Sequence, residues 1–139
     1  MLRKFSTMET VRQFLAAFSA GDKSVLDRLL TTHVYLRLCR QSGEDVYRMR
    51  VNVRNALLTE RLRWGTGCLD IRDWSVEGNT VTVKFTVPEQ SELFFFAQTY
   101  ILTLTVHHGQ VGAVTLLCGE DQAFPLPSWP VGRPAIVAV

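Results

Sequence analysis

Three polar side chains lie within apolar strand patterns, where they could perform acid–base chemistry. Gln98 and Tyr100 interrupt an otherwise apolar row of alternating residues, and the alternation of another strand changes phase near Asp73. Such a phase change predicts a β-bulge, and bulges often redirect a side chain towards a site. A carboxyl group beside a phenol in an apolar pocket could transfer protons, because burial raises a carboxyl pKa. Asp73 and Tyr100 are therefore the candidate catalytic residues.

These residues also have structural interpretations, which the sequence leaves open. Asp73 could be an exposed carboxylate near a turn, and Gln98 and Tyr100 could be a buried pair satisfied by the backbone or water. Cys39, Cys68 and Cys118 form no C-x-x-C pair, and two of the three histidines are adjacent in a predicted turn. Because neither pattern matches a metal site, we expect no metal and no cofactor.

The composition is that of one globular domain with a single core. The chain has 139 residues, of which 47% are hydrophobic and 20% are charged. No apolar run reaches the roughly 18 residues that a membrane span needs, and the N-terminus lacks the apolar segment of a signal peptide. An odd number of cysteines without a pairing pattern is typical of reduced thiols. We therefore expect a cytoplasmic protein without a membrane partner.

Positive charge is concentrated in the middle of the chain. Seven of the twelve arginines lie between Arg37 and Arg63, while the formal net charge is only +2. Such a cluster could contact an anionic ligand or nucleic acid. The interpretation we prefer is that these arginines cover solvated faces, balanced by Glu44, Asp45 and Glu60, so nucleic acid is not the expected partner.

The spacing of hydrophobic residues along the chain predicts the helices and strands that must position Asp73, Gln98 and Tyr100. Residues 93–117 hold two apolar runs joined by His107-His108-Gly109-Gln110, which predicts a β-hairpin with one apolar face. In the residues before this hairpin, the spacing of apolar residues predicts two helices, a first hairpin, a third helix and two further strands. The segment from Val46 to Trp64 could instead be one long helix, but its apolar residues would then form two separated stripes. The order predicts an α+β domain with helices covering one face of a sheet.

This order resembles the nuclear-transport-factor-2-like superfamily, also called ketosteroid-isomerase-like or polyketide-cyclase-like. The resemblance covers about residues 7–120, and the residues that carry it are Phe18-Ser19-Ala20-Gly21-Asp22, Val76–Val83, and Tyr100–Val106 followed by Gly109. It implies a cone-shaped, curved antiparallel sheet with three helices packed on its concave face, around a deep pocket. The residues implied to bind a ligand in that pocket are Phe14, Phe18, Leu38, Trp64, Trp74, Phe85, Phe96, Gln98, Tyr100 and Leu102.

The catalytic residues of ketosteroid isomerases are not matched in this sequence. The positions of the family's tyrosine, base and second acid fall at Phe14, Leu38 and Leu102, none of which can transfer a proton or donate a hydrogen bond. The Arg-x-Asp spacing of the epoxide hydrolases is matched only in reversed order, by Asp70-Ile71-Arg72. The resemblance therefore predicts the architecture without selecting a reaction.

Three functional hypotheses remain. The first is binding of a small, mostly apolar ligand in a deep pocket of a homodimer that forms through the outer sheet face. The second is an isomerase, cyclase or dehydratase that uses Asp73 with Tyr100 or Gln98, and the third is a protein-interaction module. We expect residues 1–122 to form one cone-shaped α+β domain. Residues 123–139 form a proline-rich apolar tail, which we expect to dock on the domain or on a partner subunit.

Overall fold

Two helices, a pair of strands, a third helix and four further strands follow one another in the computed structural model, which describes residues 2–65, 67, 69–90 and 95–119. Within that part of the chain there are three helices and six strands. In chain order they are α1 (Leu2–Ala20), α2 (Lys23–Leu29), β1 (Leu30–Arg40), β2 (Gly43–Arg48), α3 (Arg50–Leu62), β3 (Asp70–Glu77), β4 (Thr80–Gln90), β5 (Phe95–His107) and β6 (Gln110–Gly119). The predicted tail (123–139), Cys68 and the side chain of Phe96 lie outside the described residues.

The junction between α1 and α2 forms where glycine is followed by a capping residue. Gly21 has φ +69°, a left-handed conformation that ends α1 without a steric penalty. Asp22 then caps α2, because its Oδ1 accepts a hydrogen bond from the Val25 backbone N–H at 3.2 Å. This cap fixes the turn between the two helices.

No helix in the described part of the chain is both long enough and apolar enough to cross a membrane.

The segment after β1 is a strand followed by a helix, so the alternative of one long helix is wrong. β2 ends at Arg48 and α3 begins at Arg50, with Met49 between them at φ +79° and ψ 145°. The Met49 backbone N–H donates to the Val34 carbonyl at 2.9 Å, which holds this junction against β1. The side-chain amide of Asn52, in the first turn of α3, donates to the backbone carbonyl of Arg48 at 2.9 Å.

The six strands form one sheet in the order β2-β1-β6-β5-β4-β3. The predicted α+β class, with a curved sheet and three helices, is confirmed. The sheet is mixed, however, and not wholly antiparallel, because β1 pairs with β6 in parallel. Parallel neighbours need a long connection, and here it runs through β2, α3 and the strands β3 to β5. The other neighbouring strands pair antiparallel, as expected.

Two predicted local features of the sheet are confirmed. His108 and Gly109 have φ values of +52° and +77°, the pair of positive angles that a tight hairpin turn needs between β5 and β6. The register of β3 against β4 shifts between Ile71 and Asp73, which is the β-bulge expected from the change of phase. The bulge turns Trp74 to the same face as Ile71, since both line one groove against α1.

Candidate functional site

Five aromatic side chains, here called the aromatic cluster, fill the space between the helices and the sheet. They are Phe14, Phe18, Trp64, Phe85 and Tyr100, all of them buried. Ring centroids are 5.0 Å apart between Phe18 and Trp64, and 5.0 Å apart in the stacked pair Phe85 and Tyr100. These are contact distances for aromatic rings. The structure thus brings together five of the residues predicted to line a pocket, and it packs them against one another.

Two of the other predicted pocket residues, Leu38 and Trp74, line two separate spaces. Leu102 is fully buried in the same core, whereas Leu38 lines a cavity beside α3. Trp74 lines a separate groove of about 330 Å³ between α1 and β3. This α1 groove is lined by Arg12, Leu15, Ala16, Ser19, Leu69, Ile71 and Trp74. The predicted residues whose side chains are described therefore do not all surround one common space.

Asp73 lies at the predicted bulge but is not brought near Tyr100. It pairs with Lys84, which pairs with Ile101, so these residues form a row on the sheet face that points away from the helices. The Asp73 side chain is exposed, and its Oδ1 accepts a hydrogen bond from the Trp74 backbone N–H at 2.9 Å. Tyr100 belongs to the alternate row with Phe85. The structure therefore favours the structural interpretation of Asp73 over its use as an acid with Tyr100.

A buried polar network connects α3 to β1 and β5. The Tyr100 hydroxyl donates to Glu60 Oε2 at 2.9 Å and accepts from Trp64 Nε1 at 3.0 Å. Glu60 Oε1 forms an ion pair with Arg40, and Gln98 Oε1 lies 2.8 Å from the Tyr100 hydroxyl. Arg40, Glu60, Trp64, Gln98 and Tyr100 are called the polar network below. Its carboxylate, Glu60, is 1% exposed.

The hydroxyl of Tyr100 is fully engaged within this network. A phenol has one proton to donate and two lone pairs that accept. Because the proton goes to Glu60, the amide of Gln98 can satisfy the hydroxyl only if it turns its nitrogen towards that oxygen. Such amide orientations are assigned from the hydrogen-bond network. In that orientation Trp64 and Gln98 donate and Glu60 accepts, so the hydroxyl is satisfied by side chains. The structural interpretation from the sequence assigned this role to the backbone or water instead.

Burial and charge fix the protonation of two members of the network. Burial raises the pKa of the Tyr100 hydroxyl, and the adjacent negative charge of Glu60 raises it further. Burial lowers the pKa of Arg40, but the hydrogen bond to Glu60 and the charge of that residue raise it by more, so the net shift is upward. Tyr100 is therefore a neutral hydrogen-bond donor at neutral pH, and Arg40 is a cation.

A cavity of about 440 Å³, called the α3 cavity below, adjoins this network between α3 and the β1–β2 hairpin. Arg40 and Glu60 belong both to the polar network and to the wall of the cavity. The full lining is Leu38, Arg40, Val46, Tyr47, Arg48, Asn52, Asn55, Ala56, Thr59 and Glu60. The cavity therefore combines an apolar surface with a charged wall.

Sequence reasoning did not identify Arg40 and Glu60 as site residues. Both were interpreted as parts of solvated, mutually balancing faces. A signal for Glu60 was present, since it lies at helical spacing with Val53, Leu57 and Trp64, all buried. A glutamate within such an apolar stripe needs a partner, because an unpaired buried charge is costly.

Among the described residues, no group of three or more potential metal ligands lies together.

Comparison with known proteins adds information on the fold. No protein-family model matches the sequence, and no curated protein matches it. Among solved structures, IdmH, a proposed polyketide cyclase from Streptomyces antibioticus, has 14% identity and a TM-score of 0.67, over 81% of this chain and 91% of that chain. A proposed ketosteroid isomerase from Kribbella flavida has 15% identity and a TM-score of 0.67, over 95% and 91% of the two chains.

A designed protein is also similar to this chain. It was made de novo with a curved β-sheet, and it has 15% identity and a TM-score of 0.65, over 83% of this chain and 86% of that chain. Identities of this size show a shared fold and carry no activity over to this chain.

Proposed function

We propose that this chain, which has the nuclear-transport-factor-2-like fold, binds a small molecule in the α3 cavity. The observation that carries the proposal is the position of the ion pair between the partly exposed Arg40 and the buried Glu60 in the wall of a cavity of about 440 Å³. Ligand sites typically occupy about 300–1,000 Å³ and combine apolar walls with a few fixed polar groups. A charged pair held by further hydrogen bonds is such a fixed group.

The apolar part of the lining agrees with a ligand of modest size and mostly hydrocarbon character. Leu38, Val46, Tyr47 and Ala56 supply it, from β1, β2 and α3. This proposal retains the apolar ligand that the sequence predicts, but it places the ligand beside α3. The packed rings of the aromatic cluster then hold the polar network in position.

A neutral dye tests this proposal. We expect Nile red to bind at about one molecule per chain, with increased emission, since burial of its apolar surface is favourable. Ala56→Trp should abolish binding by filling the α3 cavity. The matched control is Ala16→Trp, which places the same side chain on a helix in the α1 groove. Unchanged binding to Ala56→Trp, or loss of binding in Ala16→Trp alone, would show that the ligand site is elsewhere.

An enzyme of the isomerase, cyclase or dehydratase kind is the second candidate function, and one observation favours it. Glu60 is a buried carboxylate in the wall of the cavity and is hydrogen-bonded to a phenol. In this form of the hypothesis Glu60 takes the role that the sequence suggested for Asp73. Glu60→Gln should then lower turnover of a substrate found by screening by roughly 10²–10⁴-fold. Equal turnover by the variant would exclude Glu60 as the acid or base.

We also retain the proposal that the protein is a cytoplasmic homodimer formed through the outer sheet face. Thr99, Ile101, Thr103 and Thr105 lie half-buried on this face, next to a threonine row on β4. The face contains few charges, as interface cores do. The expected cytoplasmic location rests on the odd number of cysteines without a pairing pattern in the sequence.

A further inference from the structure

We infer that residues 124–130 of the apolar tail dock in the α1 groove of their own chain. This segment reads Phe-Pro-Leu-Pro-Ser-Trp-Pro and lies outside the described residues. The groove, of about 330 Å³ between α1 and β3, is not used by the proposed function. The inference is therefore independent of any ligand of the α3 cavity.

Apolar side chains of the α1 groove are less buried than those of the core. Ile71 is 37% exposed, and Leu69 and Trp74 are only partly buried, although all three line the groove. Covering such apolar surface is favourable. Residues 124–130 contain no charged side chain and are mostly apolar, so they supply the kind of surface that this groove lacks.

The polar groups of the groove are mainly hydrogen-bond donors. The Trp74 indole N–H and the Arg12 guanidinium can only donate, while the Ser19 hydroxyl can donate or accept. In the described part of the chain, neither Trp74 Nε1 nor the Arg12 guanidinium has a hydrogen bond or an ion pair. Three of the residues 124–130 are prolines, each with a backbone carbonyl but no N–H. The segment therefore offers more acceptors than donors, which complements the groove.

The spacing of the prolines suits a groove that contains an aromatic ring. Pro127 and Pro130 form a P-x-x-P pair, the pattern of segments that dock as polyproline helices in aromatic-lined grooves. A polyproline helix has no internal hydrogen bonds, so its carbonyls are available to donors such as Trp74 Nε1. Prolines also restrict the undocked chain, which lowers the entropic cost of docking.

The sheet register brings the end of β6 to the same end of the sheet as the groove. The last residue of β6 and the first residue of β3 belong to one row of paired residues, Gly119, Thr99, Thr86 and Asp70. Asp70 is flanked by two groove residues, Leu69 and Ile71. Three strand spacings separate the ends of the row, or about 14 Å. Five residues lead from Gly119 to Phe124, and an extended chain of that length covers about 16–18 Å, so the segment can reach the groove.

Attachment to β6 favours docking even where the contacts are weak. A segment on a short linker has an effective concentration of about 1 mM at a nearby site. With a dissociation constant of about 0.1 mM for the free segment, roughly nine chains in ten would be docked. Docking would cover Trp74 and Trp129 together, which gives one signal from each side of the contact.

Fluorine NMR of the full chain labelled with 5-fluorotryptophan measures both signals. Trp74→Phe and Trp129→Phe assign two of the three tryptophan resonances, and the third is that of Trp64. A soluble gadolinium chelate broadens the resonances of exposed rings. We expect it to broaden Trp129 only slightly in the unaltered chain. Broadening of Trp129 as strong as in the urea-unfolded chain would overturn the inference.

A charge placed in the groove should release the segment. Ile71→Glu should weaken docking about tenfold or more, since burying an unpaired carboxylate is costly. The exposed fraction of Trp129 should then rise from about one tenth to at least about one half. The matched control is Val76→Glu, because Val76 lies on the same strand and is 47% exposed but does not line the groove. Equal exposure of Trp129 in the two variants would overturn docking at this groove.

A change in the tail should be detected at the groove. Pro127→Gly/Pro130→Gly gives the undocked chain more freedom and should weaken docking roughly tenfold, which exposes Trp74 to the chelate. Pro134→Gly is the control, since this proline belongs to the tail but not to residues 124–130. A Trp74 resonance that responds to neither variant, or equally to both, would overturn the inference.

Ile101→Lys separates docking within one chain from docking on a neighbouring copy. This substitution lies on the outer sheet face, the proposed contact between chains, and is expected to give a monomer. Trp129 should stay protected from the chelate in the variant. Loss of protection would overturn docking within one chain and would indicate that a second copy receives the segment.

Discussion

Tyr100 connects the aromatic cluster to the charged wall of the α3 cavity. Its ring stacks on Phe85 with centroids 5.0 Å apart, and its hydroxyl donates to Glu60. The ring contributes apolar burial, and the hydroxyl donates to the Oε2 of a buried carboxylate whose Oε1 is paired with Arg40. One side chain therefore couples the packing of the core to the geometry of the proposed site.

The protonation of Tyr100 predicts how stability depends on pH. Burial and the charge of Glu60 raise the pKa of Tyr100 above its ordinary value of 10.0 in the folded state. Above about pH 10 the unfolded chain releases this proton and the folded chain retains it, so this contribution to stability is present below pH 10 and is lost above it. The loss should approach about 1.4 kcal/mol per pH unit.

Tyr100→Phe should remove this part of the pH dependence. Urea unfolding of the two chains between pH 8 and 11 measures it, and the difference in unfolding free energy between them should shrink as pH rises above 10. Differences that stay constant across this range would contradict a raised pKa for the buried hydroxyl. The tyrosinate absorbance of the two folded proteins should also be equal up to pH 11.

At the scale of single elements, the start of α3 carries conformational strain. Met49 has φ +79° and ψ 145°, a combination that residues other than glycine rarely adopt, and no side chain caps the helix there. The side chain of Met49 is 44% exposed, so it contributes modest burial. The strain is maintained by the hydrogen bond from the Met49 N–H to Val34.

Met49→Gly should therefore stabilise the protein by about 1 kcal/mol, because relief of strain exceeds the loss of a half-exposed side chain. Val51→Gly is the matched control, since Val51 is also exposed but lies within the first turn of α3. It should destabilise by about 1 kcal/mol, as glycine does inside a helix. Thermal and urea unfolding measure both variants, and equal destabilisation by the two substitutions would refute strain at Met49.

Several elements could be predicted because their signals are local. Gly21-Asp22 specifies a helix end and a cap, His108-Gly109 specifies a hairpin turn, and the phase change at Asp73 specifies a bulge. The parallel pairing of β1 with β6 has no such signal, since strand patterns do not state which strands become neighbours. The helical spacing of Glu60 with buried apolar residues signals its burial, but its pairing with Arg40 has no local signal, because that pairing depends on how α3 lies across β1.

At the scale of the whole molecule, the outer sheet face is the proposed homodimer contact. Ile101 lies near its centre, paired with Lys84 on β4 and with Leu117 on β6. A twofold contact of this face with itself would close the assembly at two chains. The apolar tail at residues 123–139, for which docking on the domain or a partner remains a proposal, could add to this contact.

Ile101→Lys should dissociate the homodimer, because it adds a second positive charge beside Lys84 at the buried centre of the face. Sedimentation at micromolar concentration should show twice 15.7 kDa for the unaltered chain and 15.7 kDa for the variant. Lys23→Glu is a control of altered charge on α2, away from this face. A monomeric unaltered chain would leave the threonine-rich face as ordinary solvated sheet.

The place of β6 in the sheet has a consequence for the chain as it is synthesised. β6 is the last described strand, yet it lies between β1 and β5 and pairs with both. A nascent chain can form the β1–β2 hairpin and the β3–β4–β5 meander early, but these two pieces stay unjoined until residues 110–119 leave the ribosome. Arg40 and Tyr100 lie on opposite sides of that gap, so both can meet Glu60 only after β6 has docked. Such late, long-range pairing slows folding and leaves strand edges exposed in the meantime. The polar network beside the α3 cavity would therefore be complete only after translation has passed through β6.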